Sequence, residues 1–130
     1  MTRRPAALPL FPLFMRYWLP VLVYVTIVIT LSAQPHLTPP PQLPFGDKFY
    51  HFGEYLLLGF LLVRAIRASF RIQRAIVAAL LALSLGIVIG TGDEVFQSTV
   101  PGRESSAFDL LADIAGIAVA QMLVLVFARD

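Results

Sequence analysis

Two histidines occur in this sequence of 130 residues, and one of them, His51, has acids within a helical turn on both sides. Asp47 lies four residues before it, Glu54 three after and Tyr55 four after. At 3.6 residues per turn these four share one helix face. A histidine between carboxylates is suited to general acid–base work, with one carboxylate orienting the ring. Downstream, Gly86, Gly90, Asp93 and Gln97 repeat at helical spacing with Glu94 alongside, and Asp109, Asp113 and Gly116 do the same. Adjacent acids such as Asp93 and Glu94 are suited to holding a divalent cation or polarising a water. His51, Glu54, Asp93 and Glu94 are therefore the candidate catalytic groups. Asp93, Glu94 and His51 are the candidate metal ligands, with a divalent cation as the candidate cofactor. Arg103 adds a planar fork that fits a carboxylate or a phosphate, and Lys48 a second positive charge. Together with Asp47, His51, Tyr55, Gln97, Asp109 and Asp113 they make up the candidate ligand-binding set.

Such groups need elements to hold them, and the composition says in what solvent. Hydrophobic residues make up 58% of the chain and charged residues 14%, too apolar for a disordered segment and above the usual soluble range. The absence of cysteine excludes a disulfide scaffold, a zinc ribbon and thiol redox chemistry. A net charge of +2 on so apolar a chain makes no nucleic-acid surface. Four apolar stretches predict an all-α, four-transmembrane-helix bundle in one domain covering 1–130, with helices at about 17–33, 47–66, 75–97 and 107–128. Pro35, Pro39, Pro40, Pro41 and Pro44 make the first connection an extended loop, where His36 is expected to be solvated. Pro101-Gly102 marks the turn before the last helix.

Eight of the ten basic residues, Arg3, Arg4, Arg16, Arg64, Arg67, Arg71, Arg74 and Arg129, fall on one side of this map. Lys48 and Arg103 fall on the other, together with every acid except Asp130. The arginine-rich side is expected to face the cytoplasm, with both termini, and the polar stripes to end at the outer boundary. Lipid cannot satisfy those stripes, so they are expected to turn towards one another and form a single outward-facing site. A competing reading of the first stretch is a cleavable leader ending at Leu31-Ser32-Ala33.

Several of these residues also have plainer roles. Asp47 could cap the second helix after Gly46, and Ser106-x-x-Asp109 fits a capping box for the fourth. Gly86-x-x-x-Gly90 reads as a close-packing face. Tyr17, Trp18, Phe49, Tyr50 and Phe52 include interfacial belt residues. Arg103 could neutralise Asp93 or Asp113 as a structural ion pair. Capping leaves Asp93 and Glu94 unexplained, because the C-terminal end of a helix disfavours negative charge.

Three blocks within 47–116 carry a family resemblance. Asp47-Lys48-x-x-His51-Phe52-x-x-Tyr55-x-x-Leu58-Gly59, then Asp93-Glu94-x-x-Gln97, then Pro101-Gly102-Arg103 followed by Asp109-x-x-Ala112-Asp113-x-x-Gly116, resemble in order the signatures of the VanZ-like membrane proteins. The resemblance implies a four-helix protein of the bacterial inner membrane. It also implies an antibiotic-resistance context, since the namesake is associated with low-level resistance to teicoplanin, a glycopeptide that binds cell-wall precursors. It implies no reaction.

Three functions follow as expectations. The first is an envelope protein whose polar pocket binds a lipid head group, a lipid-linked precursor or an envelope-active compound such as the glycopeptide. The second is a membrane-embedded, metal-assisted acid–base enzyme acting on a lipid or lipid-linked substrate. The third is a structural subunit of an envelope complex. Membrane lipids are the expected partners and nucleic acid is not. The sequence has no HExxH and no serine or cysteine nucleophile signature, and the inner half of every span is apolar, so nothing marks a path across the membrane.

Overall fold

The computed structural model describes residues 9–35 and 45–127. The proline-rich connection with His36 and the terminal charges Arg3, Arg4, Arg129 and Asp130 lie outside them. Four helices, α1 (Leu10–Ser32), α2 (Gly46–Phe70), α3 (Ala75–Gln97) and α4 (Ala107–Phe127), are each long and apolar enough to cross a membrane. No strand occurs among the described residues. The chain is a multi-pass, all-α membrane protein.

Two helices extend beyond the uncharged stretches that announce them. α1 starts at Leu10 rather than near Tyr17 and passes through a wider π turn at Phe14–Trp18. Pro20 explains that turn, because a proline has no N–H to give the carbonyl four residues back, which is that of Arg16. The freed Arg16 carbonyl accepts a hydrogen bond from Arg64 Nη2 at 2.7 Å. The same guanidinium lies 5.1 Å from the Tyr17 ring centre, with the Arg16 guanidinium 5.6 Å from that ring. Arg64 is thereby absorbed into α2, which continues to Phe70 and ends at Arg71 in a left-handed conformation (φ 51°). Trp18 Nε1 donates to Ser69 Oγ at 2.6 Å and completes the docking of α1 on α2 at this end. Arg64→Lys keeps the charge but loses the planar fork that serves ring and carbonyl together. The expected loss is about 1 kcal/mol in detergent unfolding, with the orientation of the chain unchanged by accessibility labelling.

The core is built where backbones can approach. α2 packs most extensively on α4, and a Cβ placed on Gly116 would collide with the backbone carbonyl oxygen of Phe52. In lipid there is little hydrophobic drive to bring helices together, so such small-residue contacts set the packing. α3 lies against both, with Gly86 facing Ile117 and Gly90 facing Tyr55 and Asp113. This is the close-packing role expected of that glycine pair. α1 is the peripheral member, burying Val21, Val28 and Ser32 along one stripe and leaving most of its apolar surface outward. The last turn of α1, the first of α2, the last of α3 and the first of α4 meet at one end, opposite Arg16 and Arg64.

Candidate functional site

At that shared end each helix contributes polar side chains. α2 begins at Gly46, with Phe45 at the N-cap in a left-handed conformation (φ 63°) and no side-chain cap. Asp47 is therefore inside the first turn and not the cap expected of it. Its carboxylate accepts from Lys48 Nζ at 2.5 Å. Lys48 also lies 2.6 Å from Asp109 Oδ1, tying the start of α2 to the start of α4.

One turn further, His51 Nδ1 is 2.9 Å from Asp113 Oδ1. An ionised carboxylate can only accept, so Nδ1–H is the donor and Nε2 is left open. The acids expected to orient His51 were its neighbours on its own helix, Asp47 and Glu54, and the structure supplies Asp113 from α4 instead. Side chains spaced by three or four residues stand side by side on a helix, whereas a facing helix can aim directly at the ring. The approach is close because Gly116, one turn below Asp113, brings α4 onto the α2 backbone. Glu54 is half-buried, its carbonyl accepts from the Tyr24 hydroxyl at 3.0 Å, and the positive charge of Arg103 acts on its carboxylate. Arg103 is half-buried on the turn between α3 and α4, where Gly102 takes the positive φ of 83° that the turn requires.

Asp93 and Glu94, adjacent at the end of α3, point to different partners because successive helical residues diverge by about 100°. Asp93 is 3% exposed and faces α1. Its Oδ2 accepts from Ser32 Oγ at 2.9 Å, from Gln97 Nε2 at 3.3 Å and from the Tyr55 hydroxyl at 3.5 Å. Gln97 Nε2 also donates to Ser32 Oγ at 3.1 Å. Ser32 is thus a site residue that the sequence reading missed, having taken it for part of a leader-like end. Its helical spacing from Val28 and Val21 was the available signal.

Glu94 faces α4. Its Oε2 accepts from the backbone N–H of Ser106 at 3.1 Å, while Ser106 Oγ accepts from the Phe108 N–H at 3.2 Å. The expected capping box of α4 is therefore completed by a glutamate of α3. Asp109, the residue expected to close it, reaches Lys48 instead. An oxygen of Glu94, an oxygen of Asp109 and a ring nitrogen of His51 all lie within 4.8 Å of one another. This trio replaces Asp93 of the expected metal ligands by Asp109.

The cluster holds more acceptor capacity than its own donors use. Asp93 Oδ1, Glu94 Oε1 and Asp113 Oδ2 are buried without a hydrogen-bond partner among the described residues. An unsatisfied buried carboxylate oxygen is costly, so the arrangement suits a cation, a proton or a donor-bearing ligand. The negative charges of Asp113, Asp109 and Glu94 all act on His51. Of the expected ligand-binding set, the structure gathers Lys48, His51, Tyr55, Gln97, Asp109 and Asp113 around this cluster. Asp47 lies at its edge through Lys48, and Arg103 on its adjoining turn.

Comparison with known proteins fits this arrangement of blocks. A family model described as VanZ/LLP1 matches residues 8–128. The uncharacterized protein C11E3.10 of Schizosaccharomyces pombe is 28% identical over 109 residues, which is 84% of this chain and 65% of that protein. The chain thus spans just under two thirds of that relative's length. No solved structure matches it at a significant level.

Proposed function

The chain belongs to the VanZ-like family, and from that premise we propose that its acid-rich cluster binds the head group of a membrane lipid or lipid-linked envelope precursor at the outer boundary of the bacterial cytoplasmic membrane. The observation that carries this reading is the set of carboxylate oxygens on Asp93, Glu94 and Asp113, buried at one end of the bundle without partners among the described residues. A ligand there brings positive charge or hydrogen-bond donors to meet them, as an ammonium-bearing head group does. Lys48 is engaged by Asp47 and Asp109, and Arg103, on the adjoining turn, carries the planar fork that suits a phosphate. Both termini lie in the cytoplasm in this reading, as the arginine distribution argues. Susceptibility to teicoplanin would change through the lipid-linked precursor held or shielded at the site. A phospholipid head group is common to bacteria and fungi and accommodates a yeast relative more readily than a wall precursor does.

A second reading, acid–base chemistry on the bound lipid, draws on the His51–Asp113 pair, which presents an oriented imidazole beside the acids. The test is to express His51→Gln, Glu94→Gln and Arg103→Gln separately and to compare membrane abundance, co-purifying lipid by mass spectrometry and teicoplanin susceptibility. Binding predicts normal abundance with retained lipid reduced about tenfold, the equivalent of one lost polar contact. Unchanged lipid at normal abundance ends the reading. Loss of abundance in all three variants favours a cluster that only locks the bundle, as in a structural subunit. Turnover of a purified lipid-linked substrate that disappears in His51→Gln would establish the enzyme.

A further inference from the structure

We infer that His51, Glu94 and Asp109 form a binding site for a first-row divalent metal ion, with Asp113 as the carboxylate that holds the imidazole for it. The three donors come from three helices, α2, α3 and α4, and one ligand atom from each lies within 4.8 Å of the others. That spacing closes around an ion with metal–ligand distances near 2 Å after a shift of up to about 1 Å per ligand. The separate observation that points to an ion is Glu94 itself. It is 7% exposed, its Oε2 is taken by the Ser106 N–H, and its Oε1 is buried with no partner among the described residues.

His51 is presented in the form a metal requires. Its Nδ1 is tied to Asp113, which is fully buried, so Nε2 is the nitrogen that the neutral imidazole offers to an ion. Carboxylate–histidine–metal arrangements of this kind fix the tautomer and strengthen the nitrogen as a ligand. Asp109 shares its charge with Lys48, but Lys48 has Asp47 as a second partner and stays neutralised when Asp109 turns to an ion. One imidazole with two carboxylates favours ions of the Mn²⁺ to Zn²⁺ series over Mg²⁺ and Ca²⁺, which prefer oxygen alone. The site also accounts for how an acid-rich cluster can take an anionic head group, since a bound ion bridges the two. The inference does not depend on that, because ion binding needs no lipid.

The experiment uses the full chain purified in detergent, stripped with a chelator and titrated calorimetrically with Zn²⁺ in the absence of added lipid. One Zn²⁺ per chain is expected, with Mg²⁺ and Ca²⁺ binding at least about tenfold more weakly. Glu94→Gln keeps an oxygen for the Ser106 N–H and should weaken Zn²⁺ about tenfold or more. Asp113→Asn should cost about tenfold by loosening the imidazole. Asp93→Asn, turned towards α1, should weaken Zn²⁺ less than Glu94→Gln does. No Zn²⁺ binding by the unaltered chain overturns the inference, and so does an Asp93→Asn loss as large as that of Glu94→Gln. X-ray absorption at the zinc edge of the unaltered chain decides independently of any variant's folding: an imidazole in the coordination sphere is expected, and an oxygen-only sphere overturns the site. Failure of lipid retention with Zn²⁺ binding intact would count against head-group binding alone, so the two readings fail separately.

Discussion

Gly116→Ala is expected to cost about 3 kcal/mol in reversible detergent unfolding, at the upper end for a single added methyl group. A Cβ there would overlap the Phe52 carbonyl oxygen and lie 2.9 Å from the Leu56 nitrogen. Both are backbone atoms of α2, so no rotamer change relieves the contact and α4 as a whole must move away. That movement would carry Asp113, one turn above, away from His51. Lipid or metal binding should therefore fall together with stability. Gly92→Ala is the control, since nothing among the described residues lies within 4 Å of a Cβ at that position. It should be neutral or gain up to about 1 kcal/mol from helix propensity. Equal unfolding midpoints for the two variants would mean that α2 and α4 do not pack as described.

The second large effect concerns the His51–Asp113 pair. His51→Leu removes the donor from Asp113 Oδ1, at a carboxylate that is 0% exposed and whose Oδ2 has no partner among the described residues. Stranding a buried carboxylate in this way should cost about 3–5 kcal/mol. Adding Asp113→Leu should recover much of that loss, because replacing both members of a buried pair by apolar groups is far less damaging than replacing one. The expected coupling between the two sites, read from unfolding of both single variants and the double, is about 1–3 kcal/mol. The double variant should then fold and accumulate while binding neither lipid nor Zn²⁺, which separates the pair's part in assembly from its part at the site. Additive costs would show that His51 and Asp113 do not meet.

What could be read before any coordinates was local in origin. Hydropathy depends only on which residues follow one another, so the four spans and the membrane class stand in the primary sequence. Helical spacing places Asp47, His51 and Tyr55 on one face of α2 and Asp109 and Asp113 on one face of α4, again without reference to neighbours. The family blocks within 47–116 are likewise strings. Helix ends were less legible: the expected α2 stops at 66, short of Arg67, and the expected α1 starts after Arg16. Arg64 is tolerated in α2 because Pro20 frees a carbonyl on α1 for it, a fact about two helices and not one.

The pairings were decided by the tertiary structure. Which acid orients His51, which residue completes the cap of α4 and which of Asp93 and Glu94 can join a metal depend on the rotation and depth of each helix against the next. Those are set by a few close approaches at glycines, against the α2 backbone at Gly116 and largely against side chains at Gly90 and Gly59, where a one-residue change of register would exchange every facing partner. Ser32 illustrates the same limit, because a lone serine at the end of an apolar run has no meaning until α3 brings Asp93 and Gln97 beside it. Composition and periodicity determined that this chain would carry polar stripes at one end of its apolar spans. Only packing determined that the stripes would meet as His51 with Asp113, Glu94 with Ser106 and Asp93 with Ser32, because periodicity describes one helix at a time and a site is made between helices.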